Sequence, residues 1–225
     1  MFTSRDVSVV VPVYGPPLHF MEALRSVASQ RPGELIVVDD HSPKRLPDLS
    51  EFPDIQVVRH AANRGPGAAR NTGIRQATRP WVTFIDADDL WIEGRLELQL
   101  GLAKEHGSDV IFGVTSFVGA DGGPDPRRRE SRHTPCMASL LVRRELALRF
   151  PQDEVHRTSE DLDFYLKLKE AKVSMTRHDD PVLKYRKHDS SLTSGQSEEE
   201  RKSDLARVLT QVLARRRAQA TQETR

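Results

Sequence analysis

The chain has 225 residues, 37% of them hydrophobic and 30% charged, enough for one substantial core with an appended tail. Its 34 basic and 33 acidic residues leave a net charge of +1, so bulk charge gives no argument for a nucleic-acid partner, and the lone Cys136 excludes a disulfide framework or a multi-cysteine zinc site. No stretch approaches the roughly 18–20 apolar residues of a membrane span. Pro12 interrupts the early apolar run and no small-residue cleavage site follows, so a cytoplasmic location without a transmembrane segment is expected.

VSVVVPVY (7–14) reads as a strand and LHFMEALRSVASQ (18–30) as an amphipathic helix. LIVVDD (35–40), IQVVRH (55–60), WVTFIDADD (81–89) and DVIFGVTSF (109–117) are strand-like, while GAARNTGIRQA (67–77) and IEGRLELQLGLAKEH (92–106) have helical spacing. Apolar strands alternating with helices predict an α/β fold: a mainly parallel sheet covered on both faces. GADGGPDPRRRESRHTP (119–135) combines Gly, Pro and basic residues and reads as a long loop. ASLLVRRELALRF resumes packed structure, SEDLDFYLKLKEA (159–171) is a helix, and PVLKYRKH (181–188) is extended. From Ser197 a charged helix carries a narrow stripe of Leu205, Val208, Leu209, Val212 and Leu213, which fits a terminal helix docking on its own core.

In open α/β sheets ligands bind beyond the carboxyl ends of the strands. Here those ends carry Pro12–Val13–Tyr14, Asp39–Asp40, and Asp86, Asp88 and Asp89. The glycine-rich phosphate loops are missing: Gly65–Pro66–Gly67 begins a GxGxxG, but Arg70 takes the third glycine position, and GxxxxGK[ST] is absent. A bound diphosphate would therefore need a metal ion and basic side chains, and Asp–Ala–Asp at 86–88 offers the hard oxygen ligands that Mg²⁺ or Mn²⁺ prefers. Taken singly, these residues also suit ordinary structure. Asp39–Asp40 fits an Asx-type turn before Ser42, Asp89 fits a helix cap, and Tyr14 fits packing at a strand end.

With VVVPVYG, LIVVDDHS, HAANRGPGAARNTGI, FIDADD, SEDLDF and YRKHDSSLT in this order, the chain resembles a family 2 glycosyltransferase over about residues 7–194. The resemblance implies a GT-A fold, a Rossmann-like sheet, followed by a C-terminal helix. It divides the chain into a glycosyltransferase domain over 1–195 and a charged helix and tail over 196–225. Within that domain the nucleotide-sugar half runs to about 117 and the acceptor half from 118. It also implies that Pro12, Val13 and Tyr14 hold the donor nucleotide, that Asp39 meets its base, and that Arg70 lies near it. Asp86 would contact the ribose or support the site. Asp88 would be the principal ligand of Mn²⁺ or Mg²⁺, with His188 completing the metal site.

The implied reaction is inverting transfer from a nucleotide-diphosphate sugar, with UDP the leading nucleotide, to a saccharide, lipid-linked or other hydroxyl acceptor. A base must take the acceptor proton; the resemblance puts it in the Glu160–Asp161 pair, with Asp161 first and Glu160 next. Thr158–Ser159–Glu160–Asp161 also fits a capping box, which would leave Glu160 as the base. The loop over 119–135 is expected as a lid or acceptor contact. The C-terminal helix is expected to allow homodimer or peripheral membrane contact.

Two departures stand out. His41 occupies a position where glycine is common, and RFPQDEVHRTSED carries less glycine than expected before the acidic pair. Rival readings are a sugar-nucleotide nucleotidyltransferase, disfavoured because VPVYGPPLHF has no Arg or Lys, and a non-catalytic nucleotide-sugar binder.

Overall fold

In a computed structural model, residues 2–119, 123, 136–154, 159–186 and 197–223 are described. The elements in order are β1 (Val7–Val13), α1 (Phe20–Ala28), β2 (Glu34–Asp39), β3 (Ile55–Arg59), α2 (Pro66–Gln76), β4 (Trp81–Phe84), β5 (Leu90–Trp91) and α3 (Arg95–His106). They continue with β6 (Val110–Val118), β7 (Leu140–Arg143), α4 (Arg144–Arg149), α5 (Glu160–Glu170), β8 (Met175–Arg186) and α6 (Glu198–Glu223).

One sheet forms in the order β3-β2-β1-β4-β7-β6-β8-β5. β3, β2, β1 and β4 are parallel neighbours, and β6 and β8 are parallel, whereas β7 runs antiparallel to both β4 and β6. Alternate residues of β1 feed two cores. Val7, Val9, Val11 and Val13 pack with Phe20, Leu24 and Val27 of α1 and Leu96 and Leu100 of α3. Val10 faces the other way, with Ala69 and Ile74 of α2 and Phe164 and Leu168 of α5. That two-residue alternation on an entirely buried strand produces the helix–sheet–helix layering.

Three elements differ from the sequence expectation. The apolar run from Trp81 pairs only to Phe84, then turns, because parallel pairing with β1 ends at Val10↔Phe84. The segment after Cys136 splits into the antiparallel strand β7 and the short helix α4. β8 begins at Met175, well before the expected 181, with a register shift opposite Gly113 that admits polar residues and Pro181. Of the stripe expected to dock α6, Val208 and Val212 are buried, whereas Leu205, Leu209 and Leu213 are exposed. Arg215 donates to Asp163 at 2.8 Å and to Glu170 at 2.9 Å on α5. Among the described residues no helix is long and apolar enough to cross a membrane.

Candidate active site

Parallel pairing of β1 with β2 and β4 brings Val13, Asp39 and the turn after Phe84 to one sheet edge, as expected. At the β2 end, Asp39 is buried and accepts the Ser42 backbone N–H at 2.8 Å, while Arg59 pairs with its other oxygen. Ser42 Oγ in turn accepts the Gly15 N–H at 2.9 Å, locking the turn after β1 against β2. The Asx-type turn is therefore present; Asp39 is buried, whereas Tyr14, just after β1, is exposed. His41 adopts φ 65°, in the left-handed region that explains why glycine suits this position.

The neighbouring Asp40 has a different task. Its buried carboxylate accepts N–H groups of Arg64 at 2.9 Å and Gly65 at 2.7 Å, and His60 Nδ1 lies at 2.7 Å. Thr72 Oγ1 sits 2.9 Å from His60 Nε2. This fixes the loop that starts α2, where Gly65 at φ 89° precedes Pro66 at the helix start.

α2 then delivers Arg70 inward. Arg70 is 4% exposed, and its Nη2 donates to Asp86 at 2.7 Å and its Nη1 to Glu160 at 2.8 Å. The sequence placed Arg70 near the nucleotide; in the structure both of its terminal nitrogens are taken up by carboxylates. Asn71, one residue on, donates to Gln152 O at 3.0 Å and to Glu154 at 2.9 Å, tying the same helix to the segment before α5.

In the turn after β4, Asp86 and Asp88 are half-buried, whereas Asp89 is fully buried. Asp89 does not cap α3, whose N-cap is Gly94. Instead its Oδ1 accepts the Arg186 N–H at 2.9 Å, while Oδ2 is buried without a partner. Burial, with repulsion from Asp86 and Asp88, pushes the Asp89 carboxyl well above the usual carboxylate range. Arg186 also donates to Asp88 O at 3.1 Å and to Glu22 at 2.9 Å. Sequence reading missed this clamp; its only signal was an arginine inside YRKH. His188 lies two residues further on, outside the described residues, as do Thr158 and most of the 119–135 loop.

α5 begins at Glu160, and its N-cap Ser159 makes no side-chain capping bond and holds φ 66°. The glycine-poor approach to the acidic pair thus ends in a left-handed serine, a costly conformation beside the site. Glu160 is committed to Arg70. Asp161, with 34% of its side chain exposed, lies 4.0 Å from Arg70 Nη1, and its buried Oδ1 has no hydrogen-bond partner. Asp161 is therefore not a cap. Burial, then repulsion from Glu160 and Asp86, raises its carboxyl to about 7 against the pull of Arg70. A carboxyl poised near neutrality at a strand-edge site has the properties of a general base.

This mixed α/β sheet with its carboxylate-lined edge is a GT-A-type fold. The model of glycosyl transferase family 2 matches residues 8–165, and the chain belongs to that family. Membership decides against the nucleotidyltransferase. An uncharacterized glycosyltransferase of Rickettsia felis is 37% identical over 119 residues, covering 49% of this chain and 19% of that protein. The chain thus spans about a fifth of the length of the rickettsial relatives that it matches. The Escherichia coli UDP-Glc:alpha-D-GlcNAc-diphosphoundecaprenol beta-1,3-glucosyltransferase WfgD is 27% identical over 210 residues, covering 86% of this chain and 81% of its own. Staphylococcus aureus TarS 1–349, solved in complex with UDP-GlcNAc, superposes with a TM-score of 0.69 at 25% identity, over 85% of this chain and 61% of that one.

Proposed function

We propose that the protein transfers a sugar from a UDP-sugar to an acceptor hydroxyl with inversion at the anomeric carbon. The observation that carries this reading is the division of labour in the acidic pair: Glu160 takes the Arg70 hydrogen bond at 2.8 Å, while Asp161 stands 4.0 Å from the same nitrogen with 34% of its side chain exposed. The UDP complex of TarS and the UDP-Glc specificity in the name of WfgD support the choice of donor.

On this reading Pro12, Val13, Tyr14 and Asp39 hold the base, with Tyr14 exposed to stack on it. Asp86, steadied by Arg70, meets the ribose. Asp161 takes the proton of the acceptor hydroxyl as its oxygen bonds to the anomeric carbon, and the bond to the diphosphate breaks on the opposite face. Among the described residues no group of three or more His, Cys, Asp or Glu side chains forms a metal cage. The donor set still fits Mg²⁺ or Mn²⁺, which need only one or two carboxylates when phosphates and water fill the other positions. Asp88 and His188 would hold the ion, which when bound offsets charge on the departing diphosphate.

The diphosphoundecaprenol acceptor in the name of WfgD favours a lipid-linked saccharide as acceptor. The exposed face of Leu205, Leu209 and Leu213 on α6 would then rest on the membrane surface, and a homodimer contact is its competing use. Flotation with anionic vesicles against the mass in light scattering separates the two uses.

Calorimetry of UDP, GDP and dTDP, with and without Mn²⁺, tests the donor assignment. Binding of UDP that needs both Mn²⁺ and Asp88, and is lost in Asp88→Ala, is expected. UDP binding indifferent to both would sink the metal-assisted reading.

A further inference from the structure

Arg70 stands between the two halves of the site. It comes from α2, reaches Asp86 in the turn after β4 at 2.7 Å, and reaches Glu160 at the start of α5 at 2.8 Å. Asp161 is the third carboxylate around the same guanidinium, at 4.0 Å, and its Oδ1 lacks a hydrogen bond. Arg70 Nε is itself buried without a partner. One cation therefore serves three acids, two on the acceptor side and one on the donor side, and Asp161 is the one it holds least closely.

We propose that Arg70 is a positioning residue that ties the donor-side Asp86 to the acceptor-side pair Glu160–Asp161 and tunes the base, rather than a direct ligand of the nucleotide. The inference rests on Asp161 being that base. Asp161 is faced by Arg70 from α2, by Glu160 from its own helix and by Asp86 from the turn after β4. The Met137 N–H and the Cys136 thiol approach it from the segment before β7. Arg70 favours the ionised form of Asp161; the two other carboxylates oppose it. A donor that engages Asp86 reduces the demand on Arg70 and removes repulsion at once. Both changes favour proton release from Asp161, so the base is readied when the donor is in place.

The test is a carboxyl-detected NMR titration of protein labelled with ¹³C-aspartate, with Asp161→Asn to assign the signal. In Arg70→Met the Asp161 midpoint is expected to rise by about one pH unit, a roughly ten-fold change in proton affinity. Arg70→Lys, which keeps the charge without the planar fork, should fall between the two. Asp86→Asn should lower the midpoint, and UDP with Mg²⁺ should lower it in the wild type and by less in Arg70→Met. UDP affinity by calorimetry should change less than about three-fold in Arg70→Met, below the ~1 kcal/mol typical of losing a direct hydrogen bond. An Asp161 midpoint identical in wild type and Arg70→Met, or loss of UDP binding in that variant, overturns the proposal. If Arg70→Met does not fold, an unchanged midpoint in Asp86→Asn overturns it alone. Failure of the wild type to bind UDP strikes instead at the donor assignment and leaves the titrations readable.

Discussion

Asp161 shows how a single carboxyl can carry two opposite consequences of its surroundings. Its carboxyl lies at about 7, so kcat/KM for transfer should rise with pH through neutrality as the base loses its proton. The stability effect runs the other way. Between the unfolded value of 3.8 and about 7 the native state binds more protons than the unfolded chain, so this group's contribution to stability falls as pH rises through that window. Asp161→Asn should therefore abolish transfer while melting above the wild type at pH 8, with the difference closing toward pH 4; thermal scans at both pH values check this. Glu34 has the reverse sign. Burial alone would raise it, but hydrogen bonds from Ser8 and Thr78 and the nearby Arg79 hold it below the usual range. Glu34→Gln should lower Tm at pH 7 and lose that effect in acid, where the wild-type carboxylate is protonated too. The sequence made Asp86, Asp88, Glu160 and Asp161 legible because acids at strand and helix ends form a recognisable pattern. It left undecided which of Glu160 and Asp161 takes the Arg70 hydrogen bond, because that depends on where Arg70 ends up across 90 residues of chain.

Among the elements, α2 does most to join the halves of the molecule, and glycine lets it come close. A Cβ on Gly73 would sit 2.2 Å from Val10 Cγ1, and one on Gly67 would sit 2.2 Å from Asp153 O. Val10 is fully buried and β-branched, so it has little room to yield. Gly73→Ala should cost about 1–3 kcal/mol by overpacking, more than the roughly 1 kcal/mol that alanine brings to a helix interior. Urea denaturation measures it, and a variant as stable as wild type would refute the packing argument. α6 is held differently, by Arg215 spanning Asp163 and Glu170 and by the buried Val208 and Val212. Arg215→Ala should make α6 more sensitive to limited proteolysis without changing UDP binding; unchanged digestion would mean that the valines, with Gln211 on Asp153 and Arg216 on Glu170, suffice to hold the helix. The helical and strand periods were readable because apolar residues recur at those spacings. β7, α4 and the early start of β8 were not, since a four-residue strand, a six-residue helix and a polar bulged strand are set by their neighbours rather than by period.

Across the whole molecule, a parallel half carries β1, β2 and β4, and a mixed half around β6, β7 and β8 carries the Arg186 clamp on Asp89. The parallel half was legible from its buried strands. The antiparallel insertion of β7 was not, because strand order is a tertiary choice that local pattern does not encode. The measurement that bears most directly on the account is the stereochemistry of UDP-glucose turnover with Mn²⁺, followed by proton NMR of the first sugar released to water. The account predicts that β-glucose appears first from the α-linked donor with the wild type, and that Asp161→Asn releases none. Initial release of α-glucose, or equal release by Asp161→Asn, would contradict single displacement by this base.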